Sequence, residues 1–142
     1  MGAVDKLGFK KRSKNMYNEI KTREDIEFFL EKVNFLHDGY IIDVRYTHNG
    51  ISKIENGHYF EPDKTTLTLQ ILVTSIWDAI VEIEFESLFE WQIKDSQGDI
   101  FHTSVTFDEQ GRIVWSDDAY INMDEVKKTS YAIASSMKWR II

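Results

Sequence analysis

Val81-Glu82-Ile83-Glu84-Phe85-Glu86-Ser87-Leu88-Phe89-Glu90-Trp91-Gln92-Ile93 keeps a two-residue rhythm. Val81, Ile83, Phe85, Phe89, Trp91 and Ile93 share one parity, and Glu82, Glu84, Glu86, Glu90 and Gln92 share the other. Successive side chains of a strand point to opposite faces, so the segment reads as a β-strand with an apolar face and an acidic face. A helix would spread those carboxylates around its circumference. Such a strand belongs to an antiparallel sheet packed on one side and wet on the other. Unbroken, it would extend about 45 Å at ~3.4 Å per residue, which is long for a strand. Ser87-Leu88 interrupts the contrast, so a bulge or bend is expected there, with two strands joined at that point as the alternative.

The segments around it repeat the alternation. Thr65 to Thr74 places Leu67, Leu69, Ile71 and Val73 inward, and Tyr40 to Thr47 sets Tyr40, Ile42, Val44 and Tyr46 on one face. Phe101, Thr103, Val105 and Phe107 alternate, and Ile113 to Trp115 starts another strand. From Tyr131 to Ile141 one parity holds Tyr131, Ile133, Met137, Trp139 and Ile141, and the other holds Lys138 and Arg140. Turns are expected at Asp38-Gly39, Trp77-Asp78, Asp95 to Asp99 and Gln110-Gly111. Asn49-Gly50 reads as a two-residue hairpin with Ile51 to Ile54 returning, because both residues tolerate the positive φ of a type I′ turn. Gly57 to Lys64, with the sole proline Pro62, reads as a loop.

One helix stands out. Thr22 is its cap, Asp25 follows three positions on, and Glu24 sits in the positive first turn. Ile26, Phe29, Leu30 and Val33 form its apolar stripe, and it should end near Asn34. Asp117 to Lys128 has room for a short second helix. One helix followed by strands at hairpin spacing argues against βαβ units. The expected fold is α+β: a curved, mostly antiparallel sheet of about seven strands with one N-terminal helix packed against it, closure into a barrel being left open. Residues 1–20 show no sustained period and read as a basic, flexible tail, and residues 21–142 as a single domain.

Composition narrows the function classes. The chain has 142 residues and no cysteine, which removes disulfides, thiolate metal sites and cysteine nucleophiles. No apolar run approaches the roughly 18 residues needed to span a bilayer, and Leu7, Gly8 and Phe9 run at once into Lys10, Lys11 and Arg12, so a cytoplasmic protein is expected. Lys6, Lys10, Lys11, Arg12 and Lys14 against Asp5 give residues 1–14 a formal +4. That leaves 12 bases and 23 acids elsewhere, or −11. A body that negative repels nucleic-acid backbones and attracts cationic partners.

Candidate chemistry is sparse. Glu82, Glu84 and Glu86 share a strand face about 7 Å apart, too far for one small cation without help but suited to lysines or arginines of a partner. The simpler reading is a solvated face partly neutralised by Lys138 and Arg140 on a neighbouring strand. Trp77 and Trp115 sit at strand ends, where a half-exposed ring could anchor a partner. His37-Asp38 is the best proton-moving pair and, with the loop around His58, marks an alternative ligand site beside a concave apolar pocket. Adjacent residues seldom point at each other, however, and Asp38-Gly39 is already explained as a turn. His48, His58 and His102 lack metal-motif spacing, and no metal or cofactor is expected. Glu125-Val126-Lys127 has the Glu-x-Lys form of some nucleases but lies in a polar segment. The aromatics Phe85, Phe89, Trp91, Phe101, Phe107 and Trp139 follow the apolar parity, as core residues rather than a nucleic-acid stacking platform.

Phe35-Leu36-His37-Asp38-Gly39-Tyr40, with the terminal strand Met137-Lys138-Trp139-Arg140-Ile141, resembles small uncharacterised Gram-positive bacterial proteins of the polymorphic-toxin immunity type. The resemblance covers two short stretches and does not extend to the basic head. It implies a cytoplasmic, acidic protein that binds another protein and has no catalytic residues. The expectation is therefore a non-enzymatic domain that binds a basic protein such as a toxin, with a homodimer open because sheet edges can pair. The alternative is a small enzyme or ligand-binding sheet protein.

Overall fold

The computed structural model describes residues 16–94, 98–119 and 122–142. The basic residues Lys6 to Lys14 and residues 95–97, the first three of the expected Asp95–Asp99 turn, lie outside the described residues. In chain order the elements are β1 (Asn18–Ile20), α1 (Arg23–Lys32), β2 (Gly39–His48), β3 (Ile51–Ile54), β4 (Gly57–Phe60), β5 (Thr65–Val73), β6 (Ala79–Gln92), β7 (Ser104–Phe107), β8 (Ile113–Ser116), α2 (Met123–Val126) and β9 (Tyr131–Ile141). Among the described residues every strand pairing is antiparallel. Seven strands form one sheet in the order β2-β5-β6-β9-β8-β7, with β1 added beside β9, and β3-β4 stand as a separate ribbon. The α+β expectation and the antiparallel sheet hold. The sheet curls far enough for Ile100, ahead of β7, to bridge Gly39 at the start of β2, but one bridge does not close a barrel.

The core lies on the concave face. Leu67, Leu69, Ile71 and Val73 of β5, Val81, Ile83 and Phe85 of β6, and Met137 and Trp139 of β9 are all buried there, as the two-residue rhythm requires. Helix α1 covers them. Thr22 and Asp25 exchange backbone and side-chain hydrogen bonds as a capping box, at 3.1 and 3.0 Å, and Phe29 tilts against Trp139 with ring centroids 5.2 Å apart. The helix is not the first element. Asn18–Ile20, assigned above to the tail, pairs with Met137–Trp139.

β6 is one bent strand with its bend where Ser87-Leu88 predicts it. Ser87 takes φ +56°, and the register slips so that Leu88 faces Ala134 while Glu90 already faces Ile133. The extra residue flips the parity, as a bulge must. Leu88 packs on the core and Phe89, expected inside, lies on the surface beneath the Arg112 guanidinium, 3.9 Å from its ring centroid. β9 changes face as well. Tyr131 and Ile133 join Val114 and Val126 under α2, and it is Ala132 and Ala134 that face the main core.

Asn49-Gly50 is not the expected hairpin. β2 pairs with β5 along its length, and the tight reversal falls between Ile54 and Gly57, so Gly57–Phe60 is strand rather than loop. Gly50 serves close approach instead: a Cβ there would stand 2.5 Å from the Glu61 carbonyl oxygen. Phe101 and Phe107 are also corrected to the surface: they lie at the two ends of a parity of which only the middle, Thr103 and Val105, is buried.

Candidate functional site

The acidic stripe is a largely paired row. Register alone sets Glu82 opposite Arg140, Glu84 opposite Lys138 and Glu86 opposite Ser136. Arg140 reaches Glu82 Oε2 through Nε at 2.6 Å and Nη2 at 2.5 Å, and Lys138 Nζ lies 3.2 Å from Glu84 and 2.9 Å from Glu86. Gln70 Nε2 donates to Glu82 Oε1 at 3.1 Å, and the Tyr17 hydroxyl donates to Oε2 at 2.8 Å. The Tyr17 ring also lies over both Lys138 and Arg140, 4.8 and 4.5 Å from its centroid. Glu82 is therefore 5% exposed, not solvated as expected. Burial pushes its carboxyl up, but bonds from Tyr17, Gln70 and Arg140 outweigh that and leave it below the ordinary range. Burial and the bond to Glu82 push the Tyr17 hydroxyl up to about 12. Tyr17 was invisible as a partner in the sequence, since it lay inside the presumed tail.

A different end of the sheet stores conformational strain. Asn34, Phe35 and Leu36 all take positive φ, between 51° and 56°, making a single left-handed turn before β2, and Asp38 follows at 57°. The segment packed beside it ends the same way, with Trp77 at 61° and Asp78 at 58°. Side-chained residues avoid this region because Cβ crowds the next carbonyl, at about 1–2 kcal/mol each. Cross-bonds hold it. Thr103 N–H donates to Phe35 O at 3.0 Å, Asp38 N–H to Ile100 O at 2.8 Å, Ser75 Oγ to His37 O at 2.5 Å, and Thr74 Oγ1 to Asp38 O at 3.0 Å. Leu36 plugs the core, and Phe35 stacks on His102 with centroids 4.4 Å apart. Gly39 is needed here for close approach, since a Cβ would meet the Leu36 carbonyl oxygen at 2.6 Å.

Sequence-selected residues meet at this end. His37 Nδ1 lies 2.8 Å from Phe101 O and so carries the proton, and Nε2 stands 3.6 Å from Asp38 Oδ2. The pair does face itself, contrary to expectation. At that distance the two side chains are in contact without a hydrogen bond. Trp77 projects from the same end and is 98% exposed, and Phe101 is 74% exposed. Two selected residues lie elsewhere. His58 is in β4 on the separate ribbon, and Trp115, expected half-exposed, is fully buried against Phe85. The best-formed clefts among the described residues are not walled by His37, Asp38 or His58. Among the described residues no three His, Asp or Glu side chains gather as metal ligands, and no helix is long and apolar enough to cross a membrane.

No protein-family model, curated protein or solved structure matches this chain.

Proposed function

We propose that the chain is a non-enzymatic, acidic protein-binding domain that neutralises a basic partner such as a toxin, and that it meets this partner with the end of the sheet carrying Trp77. The supporting observation is Trp77 itself: a tryptophan 98% exposed, fixed on a left-handed backbone. Trp is enriched among residues that dominate binding energy, and the backbone that carries this ring is already set before docking. Asp78 follows it in the chain, and Asp38 is tied to its segment through Thr74. With Glu82, Glu84 and Glu86 already sharing Arg140 and Lys138, further negative charge for a cationic partner comes from groups such as Glu24, Glu27 and Glu31 along α1, all exposed.

The test is capture with tagged protein from lysate of the source cells and, separately, with the product of the neighbouring gene. A basic protein in stoichiometric amount, released by salt, is the expected result. Trp77→Ala should weaken that complex about 30-fold. Recovery of no such protein, or a complex indifferent to Trp77, would remove the reading.

A further inference from the structure

β2 ends the strand order, so among the described residues no strand runs beside one of its edges. Which groups that edge offers follows from one bond. Asn49 N–H donates to Lys64 O at 2.6 Å, continuing the register of His48 with Thr65, so Asn49 faces β5. Antiparallel pairing alternates, so Thr47, Arg45 and Asp43 face β5 too, and the N–H and C=O groups of Val44, Tyr46 and His48 point off the free edge. The bridge to Ile100 occupies Gly39 alone. Ile42, Val44 and Tyr46 are exposed. A bulge between Ile41 and Asp43 limits the straight edge to its second half.

Such edges are usually guarded by charged side chains, lysine above all, or by bulges, and the bulge of β2 leaves its second half unguarded. Here the two charged residues have opposite signs and sit on either side of Val44: Asp43 and Arg45, whose carboxylate and guanidinium already touch at 3.4 Å. That order is complementary to itself when reversed.

We infer that β2 docks antiparallel on β2 of a second copy of this chain, with the two-fold axis at Val44. Val44 then meets Val44 in a hydrogen-bonded pair. Asp43 meets Arg45 of the second copy, and by symmetry the contact occurs twice. Both fall at non-hydrogen-bonded positions, where side chains across a ladder come closest. Tyr46 meets Ile42 at the bulge, which ends the ladder on each side. Val44 and Tyr46 lie on the side of Leu69 and Leu67, so the two apolar faces become continuous beside Tyr46 and Trp91, stacked at 5.8 Å. The surface is distinct from the end that carries Trp77.

Sedimentation equilibrium of the full chain over a concentration series tests this. A monomer–dimer equilibrium is expected. Asp43→Arg and Arg45→Asp, each setting like charges opposite twice, should raise the dimer dissociation constant about tenfold. The double variant D43R/R45D should restore it, and Trp77→Ala should leave it unchanged. Thermal melts confirm that these edge variants fold. A monomer at every concentration, single variants without effect, or a double variant as weak as the singles would each overturn the proposal.

Discussion

The middle of β6 and the end of the sheet around Trp77 both drew attention in the sequence, for charge and for aromatic exposure. They have opposite economies. Around Glu82 the side chains satisfy one another: three polar side chains make four contacts with a single buried carboxylate, and the backbone is ordinary strand. Around Trp77 the backbone is strained and cross-bonded while the ring is left in water. A row of charge opposite its own counter-charge has little left to offer a partner. Strain spent on displaying an unsupported ring has no such internal use.

The largest effect should come from breaking the first region. Glu82→Ala strands Arg140 and Tyr17, and should cost about 3 kcal/mol in urea unfolding, toward the low end for a buried pair because Arg140 keeps some access to water. A loss below about 1 kcal/mol would mean that the row is surface decoration. The second region should respond in the other direction. Trp77→Gly removes the Cβ from a left-handed position and should raise stability by about 1 kcal/mol while weakening partner capture as Trp77→Ala does. If stability falls, the strain assigned to Trp77 is wrong.

Two pH measurements sharpen the contrast. The Glu82 carboxyl titrates below its ordinary 4.5, so the unfolded chain takes up that proton first. Its stabilisation is present above pH 4.5 and is lost as pH falls below it, and Glu82→Gln should flatten that acid limb of the unfolding profile. On the alkaline side, the Tyr17 and Tyr131 hydroxyls are raised from 10.0 to about 12, by burial and by their bonds to Glu82 and Glu90. The unfolded chain ionises them first, so stability is lost as pH rises from 10 toward 12. Tyr17→Phe should make that loss shallower, and ultraviolet titration of phenolate should show one fewer late-ionising ring. Variants around Trp77 should leave both limbs unmoved.

Periodicity made the body of the sheet legible because parity is geometry: Val81, Ile83 and Phe85 had to turn inward together, and Lys138 and Arg140 had to share the glutamates' face. Parity also fails wherever a residue is inserted. The slip after Leu88 sent Phe89 outward, and the change of face along β9 sent Tyr131 and Ile133 to the other side of the sheet. The Asn49-Gly50 misreading has another source. The dipeptide has turn chemistry, but pairing β2 with β5 sets Val44 and Tyr46 opposite Leu69 and Leu67, and that long-range match decided the register. At the candidate site, His37, Asp38 and Trp77 could be named from the sequence. The left-handed turn of Asn34, Phe35 and Leu36 could not, because no local preference asks for it and only the distant bonds from Thr103, Ser75 and Thr74 hold its surroundings in place.

Tyr17 acts as a roof over Glu82, Lys138 and Arg140, and it lies five residues ahead of the helix cap Thr22. A shortened version starting at the helix cap, which domain boundaries drawn from periodicity would recommend, uncovers that row and also removes the strand that flanks Met137 to Trp139. Fusion joints and protease sites therefore belong ahead of Met16.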